Sequence, residues 1–185
     1  LFFLDEVANY RRYNEDNEQV LGKYGEMFEE EYIRELNNNQ NMFDPDYISY
    51  LGAIPAKETH AGYFSIDKKG RSVNSEVKRG SDQSDDTSAY DLILKNKERL
   101  LSFDESVRFI FSHSALREGW DNPNVFQICS LRQSNSISQK RQEVGRGLRL
   151  CVDQHGVRMD AQVLPDEVHS VNKLTVIASE GYATF

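Results

Sequence analysis

The chain is poor in cysteine, with two in 185 residues. Cys129 and Cys151 form neither a metal-ligand pattern nor a disulfide framework, so both read as small apolar residues in a reducing, cytoplasmic setting. The four histidines, His60, His113, His155 and His169, lack ligand spacing, which predicts no metal site among them. No apolar run approaches the roughly 20 residues of a membrane span, and no stretch reads as a secretory signal. No association with a membrane is expected. The sequence starts at Leu1 rather than at methionine, as a piece of something longer would. No G-x-x-x-x-G-K-S/T phosphate loop occurs, and no D-E-x-H-like box. "DEVAN" at 5–9 begins like such a box but lacks its fourth-position histidine and any phosphate loop upstream.

Positive charge is scarce as well. Lys and Arg number 22 against 30 Asp and Glu, leaving a net charge of −8. The deficit is uneven: residues 1–50 carry −8, 51–107 carry −1 and 151–185 carry −3, whereas 108–150 carry +4. Such a chain is a poor general binder of nucleic acid. It can still meet phosphate locally, because field and contact act at short range.

What is present organises around that basic block. "QEVGRGLRL" (142–150) sets two arginines three apart among two glycines and a glutamine. Ser136 and Gln139 read as a capping box that opens a helix just upstream. In a continuing helix, Gln142, Arg146 and Arg149 share one face. Gly145 and Gly147 oppose the helix by about 1 kcal/mol each, as expected where something approaches the backbone closely. Guanidinium forks suit phosphate oxygens. The competing reading is a helix that stops near Gly147 with a C-cap and solvated arginines.

The remaining pattern alternates strands and helices. "LFFL" (1–4) is the continuous apolar run of a buried parallel strand. Residues 5–40 turn helical, with Leu21, Tyr24, Phe28, Tyr32 and Leu36 at three- and four-residue steps, until "NNNQN" (37–41). "HAGYFSI" (60–66) predicts a strand, and 67–88, almost without apolar residues, a mobile surface loop. "AYDLILKNKERLL" (89–101) returns to helical spacing. "VRFIFS" (107–112), "VFQICSL" (125–131) and "KLTVIAS" (173–179) are further strands. The order predicts an α/β domain with a mainly parallel sheet and ligands beyond the strands' carboxyl ends.

"SHSALREGWDNPNV" (112–125) follows one strand directly and brings a glycine and an aspartate to the sheet edge; its "DNP" alone is also an ordinary turn. A strand followed by S-x(6)-G-x-D, a second strand and then Q-x-x-G-R-x-x-R resembles motifs V and VI of superfamily 2 helicases. Those motifs lie in the second RecA-like domain. "REGWDNPNVFQI", "QKRQEVGRGLRL", "LFFLDEVANYR", "HAGYFSIDKKG" and "LTVIASEGY" are similar, more narrowly, to the Res subunits of type III restriction-modification systems. The resemblance covers most of the chain, with 38–58 and 70–88 the least diagnostic.

The resemblance implies a single C-terminal RecA-like (P-loop NTPase-like) helicase domain over 1–185, a mainly parallel sheet flanked by helices. It implies that Arg146 and Arg149 act as arginine fingers toward the γ-phosphate of ATP, and that Gln142 helps organise that phosphate and the attacking water. Gly119, Asp121 and Gly145 fall in the nucleotide-contacting set, and Ser112, His113 and Ser114 in the nucleic-acid-contacting one. His113 stands where relatives carry threonine, and Glu118 where many RNA helicases carry arginine. ATP and Mg2+ are then bound mainly by a first RecA-like domain outside this chain, as is the nuclease domain. The implied partners are double-stranded DNA, those two domains and a methyltransferase (modification) subunit. The implied enzyme moves or switches on DNA before cutting it. Another superfamily 2 motor (a type I restriction motor or a repair helicase) and a non-catalytic RecA-like interaction module stand as alternatives.

Overall fold

The computed structural model describes residues 1–42, 44–67, 71–74, 102, 104–113, 122–132 and 137–177. Its strands are β1 (Phe2–Phe3), β2 (Arg11–Tyr13), β3 (Gln19–Leu21), β4 (His60–Tyr63), β5 (Ser65–Ile66), β6 (Ser72–Val73), β7 (Phe109–Ser112), β8 (Gln127–Ser130) and β9 (Thr175–Ile177). Its helices are α1 (Lys23–Asn38), α2 (Pro45–Gly52), α3 (Ile137–Gly145) and α4 (Val168–Val171). Five strands form one sheet in the order β4-β7-β1-β8-β9, and every neighbouring pair is parallel. This is the α/β, RecA-like arrangement expected from the alternation of strands and helices.

"LFFL" lacks a polar face because β1 is central and covered on both sides. Successive side chains alternate between the faces. On one face Phe2 stacks on Phe111 at 4.4 Å, and Phe28 of α1 meets both edge-on at 5.9 and 5.4 Å. Leu4, Val7, Tyr10 and Phe64 complete that cluster. On the other face Phe3 packs with Tyr63, Val125 and Ile128. Fully burying each large apolar side chain stabilises by about 1.5–3 kcal/mol, so these two clusters anchor the sheet. His60, within the first cluster, is bonded at both ring nitrogens. Tyr10 Oη lies 2.7 Å from Nδ1 and Glu29 Oε1 lies 3.1 Å from Nε2. That accounts for a histidine in an aromatic core, and burial pushes the Tyr10 phenol well above its ordinary range.

The helix expected across 5–40 begins only at Lys23. Ahead of it lie a short 3-10 turn, Val7–Asn9, and the antiparallel hairpin β2–β3. The hairpin wins because its turn is bonded locally. Asn14 Oδ1 accepts from the Glu18 amide at 2.8 Å, Asn14 Nδ2 donates to Glu18, and Asn17 adopts φ 63°. Asparagine side chains offer the backbone these alternatives to a helix. Leu21 is accordingly the last residue of β3, not the first of the helical stripe. The helix does end in "NNNQN", where Asn39 Nδ2 caps the Glu35 carbonyl at 2.8 Å.

The strand expected over 60–66 splits into β4, which joins the main sheet, and β5, which pairs with β6. Part of the 67–88 loop is thereby ordered. Arg71 holds Asp67 through its amide at 2.9 Å and its guanidinium at 3.0 Å, setting the turn. Residues 68–70 and 75–88, and the helix expected at 89–101, lie outside the described residues.

Gly62 of β4 tests the packing. A Cβ there would stand 2.4 Å from Phe64 Cε2 and 2.5 Å from Tyr10 Cε1, and both rings are buried. Gly62→Ala is therefore expected to destabilise by about 1–3 kcal/mol through overpacking. A thermal melt should show this as roughly 2–4 °C per kcal/mol; an unchanged Tm would mean that the two rings yield freely.

Candidate nucleotide-facing site

At the carboxyl edge of the sheet, Ser112 ends β7 and Ser130 ends β8, both in register with Phe3 between them. Ser112 is fully buried, and among the described residues its hydroxyl has no hydrogen-bond partner. In this arrangement it does not lie on the surface, where the expected contact with a DNA phosphate requires it. His113 is half-buried and turns its carbonyl inward, toward Arg132. Ser114, Gly119, Trp120 and Asp121 lie outside the described residues. The turn reading of "DNP" holds for its visible half, where the Asn124 amide donates to Asn122 Oδ1 at 2.9 Å.

Arg132 is the residue that sequence reasoning missed. It directly follows the β8 exit, and its guanidinium bonds the Glu143 carboxylate of α3, donates to the His113 carbonyl at 3.3 Å and lies 5.5 Å over the Phe3 ring. The Arg132 and Glu143 side chains are 7% and 4% exposed. The only sequence-level signal is an arginine immediately after an apolar strand within the basic block.

α3 itself turns charge inward. Lys140 and Glu143 are buried, as is Arg146 just past the helix end, whereas Arg141, Gln142, Gly145 and Arg149 are exposed. Ser136 and the Gln139 side chain of the expected capping box lie outside the described residues.

Gln142, Arg146 and Arg149 do not share one face, because the helix ends at Gly145. The Arg146 and Gly147 amides close tighter turns onto the Glu143 and Val144 carbonyls at 3.3 and 3.0 Å, as helix ends commonly do. Arg146, expected to touch little of its own domain, is 7% exposed. Arg149 is exposed and lays its Nη1 on the Arg146 carbonyl at 2.8 Å. A cation is well placed there, since the last carbonyls of a helix lack internal partners and carry partial negative charge. The competing reading, a helix stopping at Gly147 with solvated arginines, holds only in part: α3 ends two residues earlier and Arg146 is buried.

The two glycines have different roles. A Cβ on Gly147 would sit 2.5 Å from Leu174 Cδ1, so its close approach is internal packing against the residue before β9. A Cβ added at Gly145 would meet nothing within 4 Å beyond its own helix. That position, flanked by exposed Gln142 and Arg149, is where an outside group can reach the backbone.

Two asparagines hold the segment that follows. Asn124 bonds both the amide and the carbonyl of Val152, at 2.9 and 3.0 Å. Asn172 accepts from the Cys151 amide at 2.7 Å and donates to the Met159 carbonyl at 2.7 Å. Burial pushes the thiols of Cys129 and Cys151 up, in keeping with their reading as small apolar residues. Among the described residues, no group of three or more His, Cys, Asp or Glu side chains is placed to hold a metal ion.

No family model matches the chain. It is 41% identical over 165 residues to the type III restriction-modification enzyme EcoP15I Res subunit of Escherichia coli, spanning 86% of this chain and 15% of that protein. It is 42% identical over 164 residues to the EcoPI Res subunit of Escherichia phage P1, with the same two shares, 86% and 15%. Against the StyLTI Res subunit of Salmonella typhimurium it is 39% identical over 183 residues, 91% of this chain and 17% of the relative. The chain therefore spans between 15 and 17% of the length of these curated relatives. The chain belongs, as one segment, to the Res subunits of type III restriction-modification enzymes.

Proposed function

We propose that this segment is the second RecA-like domain of an ATP-driven, cytoplasmic Res subunit that acts on double-stranded DNA together with a modification subunit. In this reading a first RecA-like domain holds ATP and Mg2+, and this chain closes over the phosphates. The observation that carries the reading is the exposed set Gln142, Gly145 and Arg149 on and just past α3, the helix whose Glu143 bonds Arg132 beyond the end of β8. These residues fit a phosphate-bearing ligand: an open backbone position, a polar side chain and a planar cationic fork.

When bound, ATP supplies the phosphoryl group whose transfer drives movement. The work of this chain is to place positive charge where negative charge develops. Arg149 supplies it by exchanging the Arg146 carbonyl for a phosphate oxygen. Arg146 backs the same turn from its buried position, and Gln142 orients a water beside it. DNA contact falls to His113 and Ser114 in the basic 108–150 block, and Gly119 and Asp121 link it to the nucleotide.

The purified chain alone should hydrolyse no ATP with or without DNA, since it has no phosphate loop or P-loop lysine. A longer Res protein containing it should hydrolyse ATP. DNA binding by the chain should be weak; for about four phosphate contacts it should lose roughly 100-fold in affinity between about 50 and about 200 mM salt. Robust DNA-stimulated ATPase activity in the isolated chain would overturn the reading.

A further inference from the structure

Four elements meet at one guanidinium. Arg132 leaves β8, bonds Glu143 on α3, holds the His113 carbonyl at the exit of β7 at 3.3 Å and covers Phe3 of β1 at 5.5 Å. Its planar fork reaches the Glu143 carboxylate and the His113 carbonyl from separate nitrogens, Nη2 and Nη1. An ammonium cannot reproduce such a two-armed geometry. Both charged side chains are almost wholly buried, and a pair of leucines or methionines would be at least as stable there. Stability alone does not call for this pair.

The position of the pair points to another purpose. One arm ends on His113, which leads in sequence to Ser114, Gly119 and Asp121. The other ends on Glu143, one residue after Gln142 and three before Arg146, whose amide in turn bonds the Glu143 carbonyl at 3.3 Å. The β7 exit and the turn that carries the arginines thus share one guanidinium as a common contact.

We infer that Arg132, through Glu143, is a positioning residue that fixes the arginine-bearing turn relative to the β7 exit and so couples nucleic-acid engagement to ATP turnover. This rests on the proposed role of Arg146 and Arg149. The positioning is geometric. Arg132 touches no substrate, and its loss should act on turnover rather than on nucleotide affinity. A displacement of about 1 Å in a catalytic group can cost roughly 100-fold in rate.

The experiment uses the full-length Res protein with its modification subunit, and measures Tm, KM for ATP and kcat with and without DNA. Arg132→Lys keeps the charge but not the fork. It is expected to lower Tm by a few degrees, because one buried acceptor loses its donor, to leave KM for ATP nearly unchanged, and to lower DNA-stimulated kcat per folded molecule about 10- to 100-fold. The exchange Arg132→Glu with Glu143→Arg restores an ion pair but leaves no donor for the His113 carbonyl. It should recover folding without recovering stimulation. If Arg132→Lys lowers Tm while kcat per folded molecule and its DNA stimulation persist, the pair is structural only and the inference is overturned. Arg149→Ala, run alongside, separates the two levels. If it abolishes turnover while Arg132→Lys does not, only the coupling fails. If it leaves turnover intact, the role of the arginines and the coupling built on it fall together.

Discussion

Arg149→Ala in the intact Res protein is expected to lower ATP turnover by about 1,000-fold or more, the scale of an arginine-finger loss, while the domain stays folded. The structure sets the size of the second effect. Arg149 is exposed, and its described hydrogen bonds go to the Arg146 carbonyl at 2.8 Å and, weakly, to the Gly145 carbonyl at 3.5 Å. Removing a part-buried bond from a charged donor costs about 1–3 kcal/mol. Arg149→Lys should restore the stability and little of the rate, because an ammonium can sit on a helix carbonyl but cannot grip phosphate oxygens in pairs. Arg146→Ala should behave differently. Its residue is buried, so turnover and stability should fall together. Melting temperature and ATPase rate measured on the same preparations decide the matter. An Arg149→Ala protein that melts early yet keeps its specific activity would reduce Arg149 to a helix cap.

Phe111→Ala is expected to remove about 3–5 kcal/mol of folding stability, the usual range for emptying a buried aromatic site. Phe111 is 1% exposed. It stacks on Phe2 at 4.4 Å and on Tyr10 at 4.5 Å, with Phe28 edge-on at 5.4 Å. It lies on β7, between β4 and the central β1. The neighbours come from three different elements, and a cavity among them cannot close by moving one of them. A denaturant titration should show the midpoint falling at unchanged slope. A loss below about 1 kcal/mol would mean that the aromatic cluster collapses onto the gap.

The sheet was legible because its strands declare themselves locally. "LFFL" and "FIFS" are apolar on both faces, and only a covered parallel strand explains that. The 11–21 hairpin was not, since apolar steps through Leu21 and Tyr24 fit a helix equally well. What decides against the helix is a set of hydrogen bonds among Asn14, Asn17 and Glu18. The candidate segment was legible as a motif, but the orientation of its side chains was not. Helical periodicity put Gln142, Arg146 and Arg149 together, but it holds only while the helix lasts, and α3 stops at Gly145. Arg132 was invisible for another reason. Its meaning lies in Glu143 and His113, 11 and 19 residues away along the chain, and no local pattern specifies such a meeting.

The central place of β1 also governs how the molecule is made. Phe2 has its partners at Phe111 and Cys129, both more than a hundred residues downstream. During synthesis from the amino end, "LFFL" emerges well ahead of both strands that pair with it, β7 and β8. Closing such long loops precedes any gain from contact, so folding of this kind is slow. Meanwhile a sticky apolar tetrad with open strand edges waits on the ribosome. The strand that ends most protected is the one that must wait longest, which makes a holding chaperone most useful in that interval.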